Sequence, residues 1–311
     1  MRLEGIHHIT AITGDAPRNV RFYVGVLGLR LVKKTVNQDD PTVYHLFYGD
    51  DEGSPGMDLT FFEYPGARPG RAGDGMVWLV SWRVASASSL DFWAERLAGA
   101  GVQVERFGDV LRFSDPEGLS HELVVDASGE APLRASAPDV PEEHALLGFA
   151  GVRAFASDPS RSGSLLEDAL GFSPDGEDAW GVAGEERSST FAYDSPPAEH
   201  GIPGAGTIHH VAFASRMEDH EEWRQRVVGA GARPTPVIDR FYFRSVYFRE
   251  PSGVLFELAT IGPGFAVDED ASALGERLSL PPAFEQYRDQ VERTLTPLPN
   301  VRAESVTKAR Q

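Results

Sequence analysis

Two stretches of this chain copy two others, and that repetition limits the fold more than any other feature of the sequence. Trp93 and Trp223 stand 130 residues apart, as do Gly99-Ala100-Gly101 and Gly229-Ala230-Gly231. Phe113-Ser114-Asp115-Pro116-Glu117-Gly118 and Phe248-Arg249-Glu250-Pro251-Ser252-Gly253 are 135 apart, and at the same offset Glu122-Leu123 matches Glu257-Leu258. Leu27-Gly28-Leu29 and Leu170-Gly171-Phe172 are 143 apart. Unit four therefore copies unit two and unit three copies unit one, the pattern left by duplication of a two-unit half.

Each unit reads as strand, helix, then three strands. In unit one, residues 5–13 alternate, with Ile6, His8, Thr10 and Ile12 on one face and His7, Ile9 and Ala11 on the other. Asp15 and Pro17 then signal a helix start, Asn19–Leu27 has helical periodicity, and Gly28 stops it. Strands are expected at Leu29–Val36, Thr42–Gly49 and Met57–Tyr64. Unit two has a strand at Met76–Val84, a helix at Ser88–Ala98, and strands near Val102–Arg106, Val110–Asp115 and Ser120–Val125. Unit three opens at Leu147–Ser157 with a helix at Gly163–Leu170. Unit four has Thr207–Ser215, a helix at Asp219–Val228, and strands near Arg233–Ile238, Phe243–Glu250 and Val254–Ile261. The expected class is α+β: four βαβββ modules paired into two domains. The division by sequence is 1–126 for the N-terminal pair, 127–146 for a polar linker and 147–262 for the C-terminal pair. Residues 263–311 form a tail, helical around Pro282–Thr294 and frayed over its last dozen residues.

Composition narrows the chemistry. The 311 residues contain no Cys, so thiolate nucleophiles and thiolate metal sites are excluded and any metal must be held by His and carboxylate. A net charge of −18 argues against nucleic acid as a partner. No apolar run has the length of a membrane span, and the chain opens into a strand without a secretory signal, so a cytoplasmic protein is expected.

Ligand-type residues fall at repeat positions. The first strand of unit one carries His8, whose counterpart in unit three is Gly151. The first strand of unit four carries His210, whose counterpart in unit two at the 130 offset is Val80. The closing strands of units two and four carry Glu122 and Glu257. Units one and two together offer His8 and Glu122, and units three and four offer His210 and Glu257. Only units one and four reach two His and one carboxylate: His8, His210 and Glu257. That set is the facial triad of non-haem Fe(II) oxygenases, which leaves positions open for other ligands. A carboxylate in Val254-Leu255-Phe256-Glu257-Leu258-Ala259 is expensive unless paired or metal-bound. By the period of two, His7 and His209 fall on the opposite strand face and serve either as partners of the ligands or as core histidines. Glu122 reads as a structural or vestigial carboxylate. His45, His121, His144, His200 and His220 read as structural or solvated.

The segments Ile6-His7-His8-Ile9-Thr10, Tyr44-His45-Leu46-Phe47-Tyr48, Ile208-His209-His210-Val211-Ala212 and Tyr247 to Glu257 resemble the vicinal oxygen chelate superfamily, the glyoxalase, bleomycin-resistance and extradiol-dioxygenase group. More narrowly they resemble its ring-cleaving dioxygenases of the hydroquinone type. The resemblance covers most of residues 3–262. It implies a dioxygenase holding Fe(II), with Mn(II) as the other candidate, at His8, His210 and Glu257. It also implies pocket roles for His7, Thr10, His209, Arg240 and Tyr247, with His209 or His7 as acid/base. Its partners would be a small aromatic and O2, in a homo-oligomer. A glyoxalase-like isomerase or lyase is the alternative, for which Glu63 is the nearby candidate for a fourth ligand; a non-catalytic binder of small aromatics is the third reading.

Overall fold

A computed structural model describes residues 1–301. Most of the stretch expected to fray at the C-terminus, 302–311, lies outside the described residues. Unit one is β1 (Ile6–Thr13), α1 (Ala16–Val20), β2 (Arg30–Asn37), β3 (Asp40–Gly49) and β4 (Asp58–Glu63). Unit two is β5 (Val77–Val84), α2 (Ala87–Gly99), β6 (Val104–Phe107), β7 (Val110–Ser114) and β8 (Ser120–Val125). Unit three is β9 (Phe149–Phe155), two short helical turns, β10 (Ser173–Pro174), β11 (Ala179–Ala183) and β12 (Ser188–Asp194). Unit four is β13 (Ile208–Ser215), α3 (His220–Gly229), β14 (Ile238–Asp239), β15 (Arg244–Arg249) and β16 (Leu255–Thr260). Two short helices, α4 (Pro282–Glu285) and α5 (Arg288–Thr294), follow in the tail. No helix among the described residues is long and apolar enough to cross a membrane.

The strands form two eight-stranded sheets, ordered β14-β15-β16-β13-β1-β4-β3-β2 and β10-β11-β12-β9-β5-β8-β7-β6. Sheet one thus joins unit one to unit four, and sheet two joins unit two to unit three, so the sheets cut across the division of the chain at 1–126 and 147–262. The physical reason lies in the module. Its own strands run in the order first, fourth, third, second, which leaves the first strand with an unpaired edge. That edge is covered by the first strand of another module, antiparallel in both sheets. Adjacency in sequence does not decide which one.

Most elements lie within a few residues of their expected places. The exceptions have local causes. The helix of unit one starts under an Asp15 cap, whose Oδ1 accepts from the Arg18 N–H at 3.0 Å, then widens so that the Leu27 N–H bonds the Phe22 carbonyl five residues back. Unit three repeats the wide turn from Leu170 to Leu165. The strand expected at Arg233–Ile238 shrinks to Ile238–Asp239, because Pro234 and Pro236 have no N–H to give a ladder. The linker is not a free tether: the Asp51 N–H bonds the Arg134 carbonyl, the Ser136 N–H bonds the Asp51 carboxylate, and Val140 is buried against Gly28. At Gly28, φ is +71° and a Cβ would come 2.8 Å from a Val140 methyl, so only glycine fits.

Two polar clusters pin the units together. Trp82 donates to His121 Nδ1 at 3.2 Å, which directs His121 Nε2–H to the Tyr23 oxygen at 3.0 Å, and the Tyr23 hydroxyl donates to Asp115 at 3.0 Å. At the position of Asp115 in the other half, Glu250 accepts from the Ser162 hydroxyl. The tail wraps the outer edge of sheet one. Lys33, wholly buried on β2, donates to the Phe265 carbonyl at 3.0 Å, to Asp268 at 2.8 Å and to Glu269. Phe265 and Leu274 pack with Val32, Phe47, Tyr242 and Phe243 in a small apolar cluster.

Candidate metal centre

The site lies where the two halves of sheet one meet. β1 runs antiparallel to β13 with Thr10 opposite His210, and β16 runs parallel to β13 with Glu257 opposite Ala212. Side chains from opposite ends of the chain therefore converge on the concave face. His8 Nε2 is 3.3 Å from His210 Nε2 and 3.2 Å from Glu257 Oε2, and His210 Nε2 is 2.9 Å from the same oxygen. All three residues are buried, Glu257 completely.

These atoms fit a cation. Neither Glu257 oxygen has a hydrogen-bond donor, and a bare buried carboxylate is costly without a positive partner. Ligand bonds of about 2.1 Å meeting at right angles place donor atoms roughly 3 Å apart, and the three separations match. Burial works to raise the Glu257 carboxyl, but His8 and His210 outweigh it and hold it well below the usual carboxylate range. The triad occupies one side of any ion it holds and leaves the cavity side free.

His7 and His209 are not on the far face. The β1–β13 ladder slips once between Ile6 and His8 and once between His210 and Ile208, making His7 and His209 the extra residues of two bulges. A bulge breaks the two-residue alternation and lets neighbouring side chains point the same way. His7 Nδ1 lies 2.9 Å from His8 Nδ1, and His209 Nδ1 lies 2.7 Å from His210 Nδ1. For His8 and His210 to present Nε2 lone pairs, each carries its proton on Nδ1 and donates it to the neighbouring His, an outer-shell bond that fixes ring and tautomer. Burial, then the adjacent His8, depresses His7 to about 3; burial, then His210, depresses His209 to about 4. Both are neutral acceptors at neutral pH.

The cavity over the triad is walled by Phe47, Phe62, Tyr242, Phe243 and Tyr247, with Thr35 and Asn37 among the polar groups. Tyr247 stands opposite Glu257 on the neighbouring strand, its ring 5.6 Å from that of His210. Arg240 lies over the Tyr247 ring at 5.5 Å, at the cavity rim. Thr10 is wholly buried and shares a 2.8 Å hydrogen bond with Thr60. His45, read from sequence as structural, is in the cavity wall. The segment Tyr44 to Tyr48 carries part of the family resemblance, but its residue spacing gives His45 no place in the site, because that place depends on β3 and β13 belonging to one sheet.

Other carboxylates lie apart from the triad. Glu63 accepts from the Ala16 N–H at 3.1 Å, capping α1. Glu122 is held by Arg112 Nε at 3.0 Å. Sheet two also corrects the repeat alignment: Ser81 pairs with Glu122 as Ala212 pairs with Glu257, so Leu79, not Val80, stands in the place of His210. The place of His8 is taken by Gly151, where a Cβ would fall 2.2 Å from the Thr190 hydroxyl.

The family model described as Glyoxalase/Bleomycin resistance protein/Dioxygenase superfamily matches residues 5–120 and 148–258. A Bacillus subtilis protein provisionally named ring-cleaving dioxygenase MhqO is 42% identical over 301 residues, covering 94% of this chain and 96% of its own. The chlorohydroquinone/hydroquinone 1,2-dioxygenase of Sphingobium indicum is 35% identical, covering 94% of this chain and 96% of its own. A crystal structure from Bacillus subtilis, provisionally described as a dioxygenase, superposes with a TM-score of 0.89 at 40% identity, covering 96% of this chain and 98% of that one.

Proposed function

The chain belongs to the Glyoxalase/Bleomycin resistance protein/Dioxygenase superfamily, and from that premise we propose that it is an Fe(II)-dependent ring-cleaving dioxygenase of the extradiol type, acting with O2 on a hydroquinone or catechol-like aromatic. Relatives named as ring-cleaving dioxygenases over nearly the whole length support the reaction class. The observation that carries the reading is the Glu257 carboxylate, buried without a donor and within 3.2 Å of two imidazole nitrogens beneath a wall of aromatic rings.

Iron held by His8, His210 and Glu257 would supply the redox chemistry that O2 requires and a positive charge favouring an ionised phenol; Mn(II) suits the same donors. The chain's own residues do the rest. His7 and His209 keep the ligand rings in one tautomer. The Phe47, Phe62 and Phe243 rings hold a flat substrate and exclude water. Arg240, bound to Asp39 through both Nη atoms, holds the rim, and Tyr247 in the cavity wall would bond a substrate oxygen through its hydroxyl. Glu63, engaged at α1, is not at hand as the fourth ligand of an isomerase.

The test is metal analysis after anaerobic purification, followed by O2 uptake across a panel of hydroquinones and catechols. Bound iron and stoichiometric O2 consumption, both lost in Glu257→Ala, are expected. Zinc or nickel with no O2 uptake would sink the reading.

A further inference from the structure

A cleft of 740 Å³ opens between α1 of unit one and strands β6 to β8 of unit two, a size ordinary for small-molecule sites. It is separate from the cavity over the triad, and no residue lines both. Phe22, Val26, Leu79, Val102 and Phe113 supply its apolar lining.

Arg18 on α1 and Arg21 just after it also line the cleft, and both are exposed. Arg21 keeps helical backbone angles, φ −60° and ψ −36°, so the two side chains leave one face of the turn with Cβ atoms roughly 5–6 Å apart. Neither guanidinium has a hydrogen bond or ion pair among the described residues. Asp15, one turn before Arg18, spends its carboxylate on the Arg18 backbone N–H at 3.0 Å. Two like charges so close on a helix repel each other. They stand unpaired in a chain of net charge −18, where acidic partners are plentiful.

The other polar groups of the cleft are already engaged. Arg112 gives Nε to Glu122 at 3.0 Å and stands opposite Glu105 in the β6–β7 ladder. Asp115 is buried and accepts from the Glu117 and Leu119 N–H groups and from the Tyr23 hydroxyl. Both ring nitrogens of His121 face inward, to Trp82 and Tyr23. The uncompensated charge is therefore that of Arg18 and Arg21. Acidic groups farther off than about 8 Å are screened by physiological salt and offset it little.

We propose that this cleft binds a small organic anion, its acid group bridged by the Arg18 and Arg21 guanidiniums and its apolar body laid against Phe22, Val26 and Val102. Guanidinium forks match the planar geometry of a carboxylate. The apolar body takes the half-buried Val26 and Val102 side chains out of water. A ligand seated there touches unit one and unit two together, so it stabilises the folded chain by mass action. The site is independent of the metal centre and of the dioxygenase reading.

The full chain is titrated with 1-naphthoate, with its neutral counterpart 1-naphthalenemethanol, and with acetate, which lacks the rings. Arginine side-chain nitrogen NMR and thermal unfolding are read in parallel. 1-Naphthoate alone is expected to saturate, to shift the Arg18 and Arg21 signals and to raise Tm. The double variant Arg18→Gln with Arg21→Gln changes two exposed side chains, and its Tm without ligand checks that the fold is kept. It should bind 1-naphthoate about 10-fold more weakly or worse. Equal binding of the alcohol and the acid, or unchanged affinity in the double variant, overturns the proposal. Acetate binding as tightly as 1-naphthoate overturns the assignment of an apolar body. No saturation by 1-naphthoate up to about 10 mM overturns the site altogether.

Discussion

Arg240 grips the carboxylate of Asp39 with two hydrogen bonds, 3.0 Å from Nη1 and 2.8 Å from Nη2. The pair spans from the β2–β3 hairpin of unit one to the loop before β15 of unit four, across the cavity mouth. Gln38 adds a 2.6 Å bond to the Arg240 carbonyl. Just beyond, Phe241 has φ of +70° under a bond from the Tyr242 N–H to the Arg240 carbonyl, a three-residue turn that side-chain-bearing residues adopt only under strain. Because Asp39 is 72% exposed, removing its charge is expected to change global stability by less than about 1 kcal/mol. The local effect should be larger. In Asp39→Ala, amide exchange at residues 239–243 is expected to quicken, with KM for the aromatic raised more than kcat is lowered. Unchanged exchange in that segment would show that the pair does not hold the loop.

The Nδ1 contacts of the paired histidines lead to a prediction about metal affinity. His7→Phe keeps an aromatic ring but removes the acceptor of the His8 proton. A 10- to 100-fold loss of affinity is expected, roughly what outer-shell partners contribute elsewhere, as measured by competition with a chromogenic chelator. His209→Phe should behave alike through His210. Affinity within twofold of wild type in both variants would mean that the bulge contacts do not orient the ligands.

Lys33 is the buried end of the bond network that fastens the tail. Lys33→Met leaves Glu269, itself buried, with only the exposed Arg277 guanidinium at 3.9 Å for a cation. The expected cost is about 3–5 kcal/mol, typical for breaking one side of a buried pair, measured by urea denaturation. Residues 263–280 should also become sensitive to limited proteolysis under native conditions. Stability within 1 kcal/mol and an intact tail would place the fastening elsewhere.

Asp115 gives a pH dependence with a defined sign. Burial raises its carboxyl from 3.8 to about 6, against the opposing backbone N–H groups of Leu119 and Glu117 and the Tyr23 hydroxyl. The folded chain therefore holds this proton more tightly than the unfolded chain. Its contribution to stability is fully present below about pH 4 and is lost as pH rises through about 6. Asp115→Asn, which keeps an acceptor for the two backbone N–H groups, removes that slope. Relative to wild type it should gain on the order of 3 kcal/mol between pH 4 and pH 7. A pH-independent difference between the two proteins would be the contrary result.

The part of this architecture written most plainly in the sequence is what repeats. Matching offsets at Trp93 and Trp223, and at Glu122 and Glu257, mark four modules, and ligand-type residues at first and last strands single out His8, His210 and Glu257 as the set that converges. What was not legible depended on pairing between strands distant in sequence. His7 and His209 swing round because each is the extra residue in a ladder whose two strands lie some two hundred positions apart. His45 faces the site only because β3 and β13 belong to one curled sheet. The linker and tail look polar in composition, yet a few residues in each, Val140 and Phe265 among them, are buried against unit one.

The sheet topology also sets an order of events. Sheet two is built from one continuous stretch, residues 77–194, while sheet one is assembled from the segments on either side of it. During synthesis the inner sheet has all its strands while the opening strand is still waiting for β13 and β16. The outer sheet can close only after most of the chain has emerged, so it makes the slower, longer-range connection. A messenger truncated before codon 257 would yield a half-folded product with an exposed strand edge and an incomplete triad, open to proteolysis.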